Sequence, residues 1–233
     1  MRAVTTSIAL ALVLGSTPVW AQSHGFVSIN GGYRPAATAF SDTVRITQNV
    51  EPGAIDTAYR VKAAPEFDAA GGVRVWRQLA LAVITAQVPH PLYFGRPRAV
   101  GGEAPGLSRQ ETAVHAQLVW MVPVADPGGR WRLNVAGGPS FFSLRQNVVQ
   151  DVTVTEAYPF DTATLATVVS QRVTKSRVGF NVGADLSYML SANVGVGTTV
   201  MFSRARVSLP STGHDLRVDA GGAHVGAGLR FRF

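Results

Sequence analysis

Most of the chain is written in a two-residue period. Counting back from the C-terminus, Phe233, Phe231, Leu229, Ala227, Val225 and Ala223 are apolar, with Arg232, Arg230, Gly228, Gly226, His224 and Gly222 between them. Such alternation marks a strand with one apolar and one polar or small face. The same rhythm runs through residues 194–203, 177–188, 130–137, 114–122, 66–75 and 27–34. Residues 79–88 are apolar at nearly every position, so pattern leaves their facing open, and they complete a set of eight predicted strands.

The connections between these strands predict how they are ordered. Short ones at 77–78, 125–129 and 190–193 alternate strictly with long ones at 35–63, 89–112, 143–176 and 207–216. That is an up-and-down antiparallel order. With lipid outside and a polar lumen inside, it closes as an all-β, single-domain transmembrane β-barrel. Such barrels keep short turns and both termini in the periplasm and long loops outside the cell. Aromatic rings favour the two membrane interfaces. Trp120, Trp131, Tyr188 and Phe233 fall at the short-turn ends, and Tyr33, Phe67, Phe141 and Phe202 at or near the opposite ends. A soluble lipocalin-like barrel has its apolar face inside, and the arginines on the inner parity argue against it.

Composition adds place rather than chemistry. Arg2, an apolar run over residues 8–15 and Ala21 before Gln22 fit a secretory signal cleaved after Ala21, since the run is shorter than the ~20 residues of a spanning helix. The expected organisation is therefore a signal at 1–21 and a barrel at 22–233. The chain has no cysteine, which excludes disulfides, thiolate metal sites, a cysteine nucleophile and a lipid-attachment cysteine. Lys and Arg number 21 against 14 Asp and Glu, a net charge of +7. No basic run or nucleic-acid motif accompanies that excess, so no nucleic-acid partner is expected. A basic lumen or anionic lipid head groups account for it better. The mean hydropathy of +0.15 is high for a chain with 24 glycines and 13 prolines, as dispersed apolar residues require.

The inner parity carries Glu66, Asp68 and Asp185 together with Arg34, Arg74, Arg130, Arg132, Arg177, Arg230 and Arg232. Unpaired buried charge is costly and the guanidinium fork suits carboxylates, so an ion-pair network filling the lumen is expected. The alternative is a narrow anion-preferring pore. Residues 144–175 read as a hairpin continuing above the bilayer, with a bulge near Phe141 and Phe142 where the apolar parity changes. Residues 43–48 and 56–62 form a smaller hairpin in the first loop. Tyr93, Phe94, Arg96 and Arg98 in the second loop pair aromatics with arginines and are candidates for gripping lipopolysaccharide phosphate or a partner. Ser211, His214 and Asp215 have hydrolase residue types without a nucleophile-elbow pattern, and His115 with His224 makes a weak metal set. No catalytic, cofactor or metal residue is therefore assigned.

The whole region after the signal resembles the small eight-stranded bacterial outer-membrane barrels, the OmpA-like and OmpX-like group. The resemblance rests on architecture, lumenal charge and the Phe231-Arg232-Phe233 ending, which is similar to the terminal strand read by the barrel assembly machinery. It implies a bacterial outer-membrane location, contact with outer-membrane lipid and lipopolysaccharide, and passage through that machinery. It does not imply a task. The expectation is a non-enzymatic surface protein whose extracellular region serves binding or envelope integrity. A small-solute pore and a lipid-modifying enzyme are the alternatives.

Overall fold

The computed structural model describes residues 25–35, 39–48, 51–76, 79–95, 100–101, 107–156 and 163–233. The predicted signal and the turn at 77–78 lie outside them. In chain order the strands are β1 (Gly25–Arg34), β2 (Phe40–Gln48), β3 (Glu51–Val61), β4 (Ala64–Trp76), β5 (Leu79–Gly95) and β6 (Val100–Gly101). They continue with β7 (Ser108–Val122), β8 (Trp131–Glu156), β9 (Ala163–Met189), β10 (Val194–Ser211) and β11 (His214–Arg232).

Antiparallel ladders join β1 to β4, β4 to β5, β5 to β7, β7 to β8, β8 to β9, β9 to β10 and β10 to β11. A last ladder between β11 and β1, from Phe26↔Arg232 to Tyr33↔Val225, closes the ring. These eight strands leave no open sheet edge at membrane level, the condition for crossing lipid with strands. Phe231 sits opposite Val27 at the seam, and Phe233 exchanges backbone hydrogen bonds with Gly25 at 2.9 and 3.2 Å. The ladder also settles β5: its odd positions stand opposite the lipid-parity Leu118, Ala116 and Val114.

Around the barrel Ile29, Val73, Leu118, Val135, Val182, Val200 and Leu229 are exposed, forming an outward apolar band. Trp120, Trp131 and Phe233 mark its short-turn rim, and Tyr33, Phe67, Phe141, Phe180 and Phe202 its other rim. Beyond that second rim the faces exchange character. On β8 the outward Trp131, Val135 and Phe141 give way to Ser143 and Arg145, while the inward Arg132, Asn134 and Ser140 give way to the buried Phe142, Leu144 and Val148. The outward Val200 and Phe202 of β10 are followed by Arg204 and Arg206, and the inward Thr199 and Ser203 by Val207 and Leu209.

The parity change at residues 141–142 is thus no bulge. The strand runs on without interruption and its surroundings change, from lipid outside to water outside. Register shifts occur higher up, between Val149 and Asp151 and between Thr153 and Val154. The expected long connection at 207–216 is likewise mostly strand, closed by a tight turn in which Gly213 has φ 79°.

The first-loop hairpin is present as β2 and β3, paired from Phe40↔Tyr59 to Gln48↔Glu51, with β3 joined to β5 at Ala58↔Gly95 to Val61↔Leu92. It folds over the long-strand end of the ring as a lid. Val44, Ile55, Tyr59 and Val61 pack there against Val149 and Val152 of β8.

Candidate functional site

The interior is layered along the barrel axis, and each layer follows from which residue types the strands bring to one level. At the short-turn end, Arg74, Arg132 and Arg232 line the mouth of a cavity of about 390 Å³ whose walls include Phe26, Val119, Met121 and Met189. At its far end Arg230 is paired with Asp185 and donates to the Asn30 amide oxygen at 2.5 Å, while Asn30 donates to Asp68 at 2.6 Å. Thr199 donates to Asp185 at 2.8 Å.

The next layer is a polar floor. Gln117 donates to the Asn181 amide oxygen at 2.5 Å, Asn181 to the Ser140 hydroxyl at 2.9 Å, and that hydroxyl lies 2.6 Å from His115 Nδ1. His224 Nδ1 lies 3.3 Å from Glu66, and the His115 and His224 rings are 6.5 Å apart. Among the described residues no group of three or more metal-ligating side chains forms.

Above it lies a belt of buried charge. Arg34, 2% exposed, bridges Glu66 at 3.4 Å and Glu111 at 2.8 Å, and Arg109 reaches Glu111 at 3.2 Å. Burial on this scale is tolerated only when charges are paired and the remaining lone pairs filled. The backbone does part of that filling. Gly221, with φ 95°, donates its N–H to Glu111 Oε1 at 2.7 Å, and the carbonyl of Asp219 accepts from Arg109 at 2.6 Å. A Cβ at Gly221 would stand 2.3 Å from the Ser203 carbonyl oxygen, so both conformation and space require glycine there.

The outermost layer is apolar, with Phe142, Leu144, Val148, Val207, Leu209 and Val218 in one buried cluster. The lid seals it. Ser211 donates to Asp42 at 2.5 Å, His214 Nε2 lies 2.7 Å from the same carboxylate, and the Val149 N–H donates to the Tyr59 hydroxyl at 3.2 Å. Burial pushes the Tyr59 phenol up to about 12. Phe40 stacks on Tyr59 with ring centroids 4.7 Å apart.

Of the residues assigned to a lumenal network, Glu66, Asp68, Arg74, Arg132, Asp185, Arg230 and Arg232 do line the interior. Two do not. Arg130 stands exposed in the short β7–β8 turn, where its guanidinium donates to the Tyr188 hydroxyl at 3.1 Å. That turn is built on Asp126, whose carboxylate accepts from the backbone of Gly128, Arg130 and Trp131 at 3.1, 2.6 and 2.8 Å. Those hydrogen bonds, Trp131's first, hold the Asp126 carboxyl below the usual aspartate value. Arg177 keeps inner parity opposite Phe142, but the β9–β10 ladder ends at Phe180↔Arg204, so among the described residues no neighbouring strand covers Arg177 and it is exposed.

Arg109 and Glu111 belong to β7, which begins at Ser108 inside the connection that the sequence predicts at 89–112. Their period-two spacing, continuing Ala113 and His115 upward, was the available signal. Tyr93 and Phe94 lie at the end of β5, in ladder with Arg60 and Tyr59. Arg96 and Arg98 lie outside the described residues. Ser211 and His214 meet at Asp42 rather than at one another. Both bind that one carboxylate, so Ser211 and His214 latch the lid, while Asp215 is exposed in the ladder opposite Pro210.

Comparison with family models and with curated sequences finds no match. Solved structures do match. OprG of Pseudomonas aeruginosa superposes with a TM-score of 0.59 at 11% identity, covering 91% of this chain and 96% of that one. Neisserial surface protein A superposes with a TM-score of 0.50 at 11% identity, covering 90% and 97%. What these share with the chain is architecture alone, and that architecture is the fold of the small eight-stranded bacterial outer-membrane β-barrels.

Proposed function

We propose that the protein is a non-enzymatic outer-membrane surface protein that holds a stiff extracellular β-ribbon out from the bilayer and binds an extended segment of a partner along its edge. The observation that carries this is the second edge of β9. From Leu165 to Gly179, β9 is laddered to β8 on one side and, among the described residues, to nothing on the other. A free edge presents a row of N–H and C=O groups, the template that strand-addition recognition uses. Arg172, Lys175 and Arg177 are exposed along it, which favours an acidic segment.

The surroundings support the same placement. Arg204, Arg206 and Arg217 are exposed on the outward face, with Arg204 next above the lipid-facing Phe180 and Phe202 in the ladder. Lipopolysaccharide phosphates lie at that height, so these cations bind the outer leaflet and fix the barrel's depth. The C-terminal Phe231 and Phe233 at the closure seam suit handling by the assembly machinery. The similarity to a protein named as a surface protein agrees.

The chain has no cysteine, so single cysteines report without background. On intact cells, Gln171→Cys reacts with an impermeant maleimide and Gly128→Cys reacts only after the outer membrane is opened. The reverse labelling overturns the orientation. Replacing residues 148–171 by a tight turn, together with Arg172→Gln, Lys175→Gln and Arg177→Gln, leaves the heat-dependent gel shift of the folded barrel and abolishes binding of acidic peptides to displayed protein. Undiminished peptide binding by that chain overturns the role of the edge.

A further inference from the structure

The cavity at the short-turn end holds a charge arrangement that the proposed surface role does not use. Arg74, Arg132 and Arg232 converge on its mouth within one another's electrostatic reach. The two aspartates of the cavity are engaged deeper in, Asp185 by Arg230 and Thr199 and Asp68 by Asn30. The Nε atoms of Arg74 and Arg132 are buried, and among the described residues neither has a hydrogen-bond partner. Among the described residues the side-chain hydrogen bond of Arg74 is a long one, through Nη2 to the thioether of Met121 at 3.5 Å. Like charges gathered in a partly desolvated space with unmet donors favour an anion between them.

The walls specify the rest of that anion. Phe26, Met121 and Ala136 pack around the buried Val119, and Met189 and Met201 complete an apolar lining. A hydrated inorganic ion gains nothing from such walls, and a neutral apolar molecule leaves the guanidinium donors unmet. A volume of about 390 Å³ falls at the small end of the range for ligand pockets, room for roughly ten carbon atoms and a head group. Methionine and phenylalanine side chains suit a flexible chain better than a rigid ring system.

We infer that this cavity is a binding site for a small amphiphilic anion. A carboxylate or phosphate head sits between Arg74 and Arg132 at the mouth, and a short alkyl body lies against Phe26, Val119, Met121 and Met189. In the orientation proposed above the mouth opens to the periplasm, so the ligand arrives from inside the envelope, either released from membrane lipid or as a soluble acid. The site does not depend on the β9 edge, so either reading can fail alone.

The test uses the full chain refolded into phosphatidylcholine nanodiscs, because detergent competes for the same space. Octanoate and octyl phosphate are titrated calorimetrically against loaded and empty discs, with acetate and inorganic phosphate as head-only probes. The site predicts saturable binding of one octyl ligand per chain, with acetate and phosphate at least tenfold weaker. A head group preference between octanoate and octyl phosphate separates the two sources. Arg132→Gln weakens octyl binding about tenfold. Ala136→Phe, which fills the lining without touching the charges, abolishes it, and both variants keep the heat-dependent gel shift. Absence of saturable binding, equal affinity for head-only probes, or indifference to both substitutions overturns the inference.

Discussion

At the residue scale the strongest constraint is Glu111. Its carboxylate accepts from Arg34, Arg109 and the Gly221 backbone in a space from which water is excluded. Glu111→Ala leaves two guanidiniums and an amide facing one another, and breaking such a buried cluster costs about 3–5 kcal/mol. Urea unfolding of the protein in lipid vesicles is expected to show a loss of that size. Glu66→Gln, which spares the closer of Arg34's two carboxylates, is expected to cost less. Tyr59 governs the lid in a different way. Its phenol ionises at about 12 rather than the ordinary 10.0 because it is buried. The stability contributed by the neutral ring is therefore complete below about pH 10 and lost as pH rises through about 12. A spin label at Ser41→Cys on the lid should become mobile over that interval, and should not when Tyr59→Phe is introduced.

At the scale of the element, β8 shows what a strand pattern does and does not encode. A dense apolar run located β5, and alternation located the other seven of the eight membrane strands, because lipid and lumen impose opposite demands on neighbouring positions. It also placed Arg132, Asp185 and Arg230 inside correctly, since inside the bilayer a charge has nowhere else to go. Above the bilayer the rule that apolar means outward reverses, and a reading that carried it past Phe141 needed a bulge to explain Leu144 and Val148. Arg177 failed for another reason: parity fixes a direction, but whether a wall stands there depends on where β10 leaves β9, which no local pattern states. The reversal gives a sharp substitution test. Val135→Arg places a cation against lipid near mid-strand and costs about 2–4 kcal/mol. Ser143→Arg, of the same parity but in water and opposite the neutral Ser176, is expected to stay within about 0.5 kcal/mol. Val148→Arg buries an unpaired charge in the upper core and is expected to prevent folding, as read from the gel shift.

At the scale of the whole molecule, the interior runs from an open cationic mouth through hydrogen-bonded and ion-paired layers to an apolar plug under a latched lid. Eight strands leave an interior that side chains can fill, and here they fill it in two chemically distinct ways. In a planar bilayer the folded protein is expected to show no discrete conductance steps. Removing the lid by joining residues 40 and 60 through a short Gly-Ser turn should leave it silent, because the Arg34–Glu111 belt and the Leu144–Val207 layer remain below. Reproducible steps from the intact chain would mean that these layers part under voltage.

The belt itself has a consequence for how the two ends of the protein relate. Its carboxylates and guanidiniums are paired with one another across the interior, so the belt partitions the barrel, and coupling through it would require a second arrangement of those pairs. On the proposed functions, binding at the ribbon and binding in the cavity are expected to be independent. Substitutions on the ribbon and at the mouth should combine additively. If both proposed sites hold, one chain carries an outward face and an inward chamber on either side of the Arg34–Glu111 belt, each open to change without the consent of the other.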